Sequence, residues 1–512
     1  MSLDQSRYDT NAAFVKACVN TLKDNRNDPT ELAKILVQSG SILLLQTESF
    51  TEFLEKYIPQ TLGAFDSTTN EGQRQCIEYA TVLLNFFNIL PQMNLPPIMP
   101  FKTEKDDQDY NHFQEASIKG IELLLSSKES PFNAKRLSKD KHLALTLARV
   151  QSQLISLYLQ RLHGDKSKNL NKAVEMAQSA LKVLNPESSL KEYVQVTSLV
   201  GVAYKKNAQL CKDEQERESY YKKSLESYES IINSQTIRMN DPQTWAATNN
   251  NLANTYLEMA GSSSQALFDI LNPSNNDEVK DFSTRIELID KATLRFVESS
   301  KLFDKDTQEL QWSTMEYNLG YAHLLMANQL FIGAIVNHSS PQINLLNLIP
   351  GAVQAANDAF KQALTVIKPN AQRGAEWARL QIFSAEANLY DLLLRQSLTP
   401  AERLQGLQNV DKMLTDACKL FSPVTGPMWY ARAQYHLASI YDMLYHQCAQ
   451  EEKEDRLQLM YKCADHYRNV DIVYENSLKN NPQVHVSSKL ISTLKDQLDI
   501  LDGELEGYQH NE

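Results

Sequence analysis

Apolar and polar positions alternate along most of this chain with a helical period of three to four residues, and one helical phrase recurs. It reads Gln153-Leu154-Ile155-Ser156-Leu157-Tyr158, then Leu199-Val200-Gly201-Val202-Ala203-Tyr204, then Asn251-Leu252-Ala253-Asn254-Thr255-Tyr256. Three more copies are Asn318-Leu319-Gly320-Tyr321-Ala322-His323, Ala385-Glu386-Ala387-Asn388-Leu389-Tyr390 and His436-Leu437-Ala438-Ser439-Ile440-Tyr441. About three helical turns before the terminal ring stands another large side chain: Leu147, Tyr193, Trp245 and Trp312, with Trp377 and Trp429 slightly farther ahead. Residues three turns apart share one helix face, and a small Gly or Ala between them admits a close neighbour. A helix with a single apolar stripe cannot bury it alone, whereas stacked copies can. The pattern therefore predicts an all-α chain, an α-solenoid of helix pairs.

A second amphipathic helix follows each phrase and commonly stops at Pro: 170–184 before Pro186, 352–367 before Pro369, 410–421 before Pro423 and 457–478 before Pro482. The helix over 286–303 ends instead at Asp304. The ring-to-ring spacings exceed the roughly 34 residues of a minimal helix–turn–helix repeat and are less regular. Two of them carry insertions, Gly261–Thr284 and Gly333–Asn347, and insertions gather on one edge of a solenoid. Residues 1–110 read as an N-terminal helical region, a cap or small domain, and 111–512 as the repeat array. Residues 91–111, with Pro91, Pro96, Pro97 and Pro100 followed by the charged run Lys102–Asp109, read as a boundary or an exposed loop.

These residues resemble the tetratricopeptide repeat. They are most similar to its long-helix variant found in bacterial regulatory proteins that carry a caspase-like peptidase (CHAT) domain. That variant opens its first helix with Trp-Ala, as at Trp245-Ala246 and Trp377-Ala378. Its linker pattern is matched by Arg161-Leu162-His163-Gly164-Asp165-Lys166-Ser167-Lys168-Asn169-Leu170. The resemblance implies a right-handed superhelix with a concave groove for a peptide or helix of another protein, and it extends over about residues 140–480. One departure concerns the fifth copy, which places Glu386 where Leu is expected. Helical pattern continues to Tyr508, leaving no strand–helix alternation for a peptidase domain, so proteolysis is not expected.

Composition narrows the function further. A net charge of −12 disfavours general nucleic-acid binding, which needs a cationic surface to displace counterions. The six cysteines lack paired spacing, and no basic-then-apolar leader or membrane-length apolar run is visible, so a cytoplasmic protein without membrane insertion is expected. No Gly-rich phosphate loop or zinc signature occurs, and neither a cofactor nor a metal is expected. The closest pair, Cys463 and His466, reads as a core thiol beside a surface imidazole.

The remaining signal is charge. Residues 128–172 are locally basic, and Lys139 and Lys141 there are candidates for holding an acidic partner segment. Asn250, Asn318 and Arg379 occupy first-helix positions beside the packing residues and are candidate groove contacts. The expected function is a non-catalytic protein–protein interaction scaffold or adaptor. The alternative is a regulatory sensor subunit that passes binding to a separate effector.

Overall fold

The computed structural model describes residues 55–509 except 56–57, 66–67, 94–103, 127–130, 132–140, 162, 185, 188, 212, 262–281, 337–344, 371–372, 448–452 and 481–487. The described residues fall into two compact units, one ending at Asn240 and one beginning at Asp241. No strand occurs among them, and none of their helices is long and apolar enough to cross a membrane.

The first unit runs α1 (Ile58–Ala64), α2 (Asn70–Met93), α3 (Glu104–Ser126), α4 (Lys141–Gln160), α5 (Lys166–Leu181), α6 (Leu190–Leu210), α7 (Glu214–Ile232) and α8 (Gln235–Asn240). The second comprises α9 (Pro242–Met259), α10 (Phe282–Ser300), α11 (Glu309–Val336), α12 (Ile349–Leu364), α13 (Gly374–Leu394), α14 (Pro400–Cys418), α15 (Pro427–Gln447), α16 (Lys453–Asn480) and α17 (Ser488–Gln509). Each of the six phrases lies on its own helix: α4, α6, α9, α11, α13 and α15. Each of these packs on the helix that follows it, α5, α7, α10, α12, α14 and α16. Both units are thus all-α arrays of stacked helix pairs.

The small residue of the phrase explains how closely a pair packs. A Cβ on Gly201 would lie 2.6 Å from the ring of Tyr228 on α7, and one on Gly320 would lie 2.5 Å from the ring of Phe360 on α12. Both rings are buried, so glycine here makes room for a ring rather than for a turn. Polar stitches join the same faces: the Ser224 hydroxyl donates to the Gly201 carbonyl at 2.8 Å, and the Ser299 hydroxyl to the Ala246 carbonyl at 3.0 Å.

Several second helices end earlier than their apolar period suggests. Leu184, Phe303, Ile367 and Phe421 each lie three residues beyond the last helical residue, yet all are buried. The carbonyls of Ala180, Ala363 and Ala417 accept from the overhanging amides, including those of Leu184, Ile367 and Phe421. One apolar side chain is thus folded back onto the core, and periodicity alone reads it as one more helical turn.

Two other expectations change. The charged run read as loop supplies the start of α3 at Glu104. Helix α2 continues through Pro91 to Met93. Of the expected insertions, 262–281 and 337–344 lie outside the described residues, as do residues 1–54 of the N-terminal region.

The linker between α4 and α5 is built as its residues suggest. Gly164 takes φ +82°, a conformation other residues rarely adopt. Asp165 caps α5 by accepting from the Lys168 amide at 2.8 Å. Asn169 donates to the His163 carbonyl at 2.9 Å and accepts from Arg161 at 3.2 Å, while Arg161 grips Glu115 of α3 at 2.6 and 2.7 Å.

Candidate functional site

In the second unit the first helices of successive pairs are joined side to side by polar and aromatic contacts. Asn318 on α11 donates to Asn250 Oδ1 on α9 at 2.7 Å, so two predicted site residues meet. Asn254, one turn after Asn250, donates to the Asn250 carbonyl at 2.9 Å. Between α11 and α13, Tyr317 and Tyr321 contact Phe383 with centroid separations of 5.9 and 4.6 Å. Between α13 and α15, Phe383 meets Trp429 edge-on at 5.5 Å. Tyr317, Tyr321, Trp377, Trp429 and Tyr435 are all partly exposed, each with one side packed on the buried core.

Beneath this row lies a buried charge centre. Arg432 on α15 pairs with Glu386 on α13 at 2.5 Å, and each side chain is only 3% exposed. Asn328 of α11 donates to the other Glu386 oxygen at 3.5 Å, and His436 Nε2 stands 3.7 Å from the carboxylate. Burial and Arg432 push His436 down to about 4, against the pull of Glu386, so its imidazole is neutral near pH 7. The Arg432 guanidinium lies 4.7 Å from the Phe383 ring centroid, and its Nε and Nη1 have no hydrogen-bond acceptor among the described residues. The pair therefore ties α13 to α15 electrostatically, from a phrase position that is aliphatic in the other copies.

Sequence reasoning did not nominate this centre, although a signal was present. The other copies carry Leu154, Val200, Leu252, Leu319 and Leu437 at the position of Glu386, so the charge stands out against the repeat. Its partner Arg432 lies on a different helix and could not be named from the phrase.

The remaining predicted residues are scattered. Arg379 lies on α13 with its guanidinium 5.8 Å from the Trp429 ring centroid, and its Nε donates weakly to the Ala375 carbonyl at 3.4 Å. Lys141 is the first residue of α4, and Lys139 lies outside the described residues. Within the basic segment, Arg149 pairs with Glu192 at 2.7 Å, Arg161 with Glu115 at 2.6 Å and Lys172 with Glu122 at 3.5 Å. Three of those charges are therefore paired inside the first unit.

Cys463 is buried and directs its thiol at the Ala438 carbonyl at 3.4 Å, where it packs on the small residue of the sixth phrase. His466 contacts Gln434 at 2.6 Å and stacks on Tyr441 at 5.3 Å. No group of three His, Cys, Asp or Glu side chains placed to hold a metal occurs among the described residues.

No protein-family model and no curated protein matches the chain. Among solved structures it is similar to a circular tandem repeat protein with novel repeat topology, at 11% identity and a TM-score of 0.28, covering 96% of this chain and 97% of that one. It is also similar to the S. pombe nuclear import adaptor Nro1, at 12% identity and a TM-score of 0.38, covering 69% of this chain and 99% of that one. At these values neither likeness adds to the helix-pair architecture described above.

Proposed function

We propose that this chain is a non-catalytic protein–protein interaction scaffold or adaptor of tetratricopeptide type, which takes a peptide or helix of its partner along the first-helix face of the second unit. The observation that carries the reading is the row Tyr317, Tyr321, Trp377, Trp429 and Tyr435, partly exposed beside Arg379. Aromatic residues and Arg are the side chains most enriched at the energetic centres of interfaces. Rigid helices holding such groups lose little entropy on binding, which favours groove capture. Asn250 and Asn318 extend the polar side of this face and would fix the register of a bound chain. The described cysteines, Cys76, Cys211, Cys418 and Cys463, are free thiols, which supports a reducing, cytoplasmic setting.

Affinity capture from native lysate tests the reading, comparing the full chain with a variant carrying Asn250→Ala, Asn318→Ala and Arg379→Ala. A partner enriched by the full chain, cross-linked to α9, α11 or α13 and lost with the variant, supports it. A partner retained by the variant, or cross-linked only to the first unit, contradicts it.

A further inference from the structure

Glycines inside the helices of this chain serve one purpose, and Gly503 departs from it. A Cβ on Gly120, Gly201, Gly320, Gly333 or Gly406 would run into a large side chain of a neighbouring helix: Phe87, Tyr228, Phe360, Phe282 and Leu392 respectively. In each case the missing Cβ lets that side chain sit directly on the helix backbone. Gly503 lies in the interior of α17, and a Cβ there meets nothing within 4 Å. Glycine inside a helix weakens it relative to alanine, and no neighbour among the described residues offsets that loss at Gly503.

The face that carries Gly503 is turned away from the core. Helix α17 buries Leu494, Leu501 and Leu505 against α16. Asp496, Asp499, Ile500, Gly503 and Glu506 follow at helical spacing on the opposite side, and all are exposed. Ile500, one turn before Gly503, is 56% exposed. The other two carboxylates of α17 are engaged: Asp502 pairs with Arg468 of α16, and Glu504 accepts from the Tyr445 hydroxyl of α15 at 2.9 Å. Asp496, Asp499 and Glu506 make no ion pair among the described residues. A bare stretch of backbone beside an isoleucine is thus set among three uncompensated negative charges.

We propose that this face of α17 docks a basic helix of another protein, which seats one large apolar side chain on Gly503 against Ile500. Lys or Arg on either side of that residue would meet Asp496, Asp499 and Glu506. The contact reproduces between two chains what Tyr228 makes on Gly201, and Phe360 on Gly320, within one. Those two precedents are helix-on-helix contacts, and a helix also presents cations at the spacing of the carboxylate row. Charge selects the partner. A second copy offering the same face would set three carboxylates against three, so self-pairing through it is disfavoured. This surface shares no residue with the aromatic row of the first helices and adds a second docking point to it.

A display library of single-helix peptides, randomised on one face, tests this on the full chain. Each selected clone is measured again on Gly503→Leu, which fills the exposed backbone and leaves the core untouched. Clones lost on Gly503→Leu are expected, carrying one Phe, Tyr, Trp or Leu flanked by Lys or Arg. For a synthetic peptide of such a clone, Gly503→Ala is expected to weaken binding by about tenfold. The same variant is expected to raise the melting temperature of the chain, because alanine favours the helix. A purely structural glycine would not move binding and stability in opposite directions. Asp496→Lys with Asp499→Lys should also weaken the peptide, and its binding to the unaltered chain should fall as salt rises to about 0.5 M. Arg379→Gln should leave it unchanged. A library that yields no clone lost on Gly503→Leu, or lost clones with no excess of Lys and Arg, overturns the proposal. So does a peptide that Gly503→Ala binds as tightly as the unaltered chain. Capture by the first-helix face is read from Asn250, Asn318 and Arg379, so the two surfaces fail independently.

Discussion

Glu386 and Arg432 form an ion pair 2.5 Å long in which both side chains are 97% removed from solvent, and it joins the first helices of two successive repeats. Taking two charges out of water costs several kcal/mol per ion, and the pair recovers this only while both partners are present. Glu386→Ala is therefore expected to destabilise the second unit by about 3–5 kcal/mol, because Arg432 is left charged and buried. The double variant Glu386→Leu with Arg432→Met should regain most of that loss, since every other copy has an aliphatic residue at the Glu386 position. Chemical denaturation of Glu386→Leu, Arg432→Met and the double variant measures the coupling. Additive losses would show that the pair contributes nothing as a unit.

The glycine positions separate packing from helix propensity. Gly320→Ala puts a methyl 2.5 Å from the Phe360 ring and is expected to cost about 1–3 kcal/mol. Gly503→Ala meets nothing within 4 Å on α17 and should stabilise by up to about 1 kcal/mol. Thermal melts check both signs, and a neutral Gly320→Ala would mean that the α11–α12 pair can separate freely.

Acid sensitivity follows from His436. Its folded value of about 4 lies below the ordinary 6.5, so the unfolded chain binds the extra proton first as pH falls. The stability this neutral His contributes is complete above about pH 6.5 and is lost as pH falls from there towards 4. The loss is on the order of 3 kcal/mol. Asp442 and Glu316, pushed up by burial, act with the opposite sign. The difference between the unaltered chain and His436→Gln therefore isolates His436. Denaturation midpoints should converge as the pH drops from 7 to 4, and a constant difference across that range contradicts the assignment.

Much of this fold is legible in the sequence because packing imposes a period. Six phrases predict six first helices, and each falls within a single helix, since ring, small residue and second ring must share one face to bury. Helix ends were less legible: Leu184, Ile367 and Phe421 keep the apolar period after the backbone has turned. The candidate site was legible only in part. Asn250 and Asn318 stood out as polar residues beside packing positions, and they do touch. The Glu386–Arg432 pair was visible only as a broken repeat position, because its partner is chosen by the stacking of helices rather than by distance along the chain.

A caged position offers the most direct test of where a partner lies. Benzoylphenylalanine is placed at Ala247 on α9 or Gln381 on α13, the same repeat position on two first helices. The comparison positions are Gln354 on α12 and Lys412 on α14, exposed residues of second helices. After irradiation in native lysate, the adaptor account predicts one shared partner covalently joined at Ala247 and Gln381 and absent at Gln354 and Lys412. Labelling of that partner at the second-helix positions alone would contradict it.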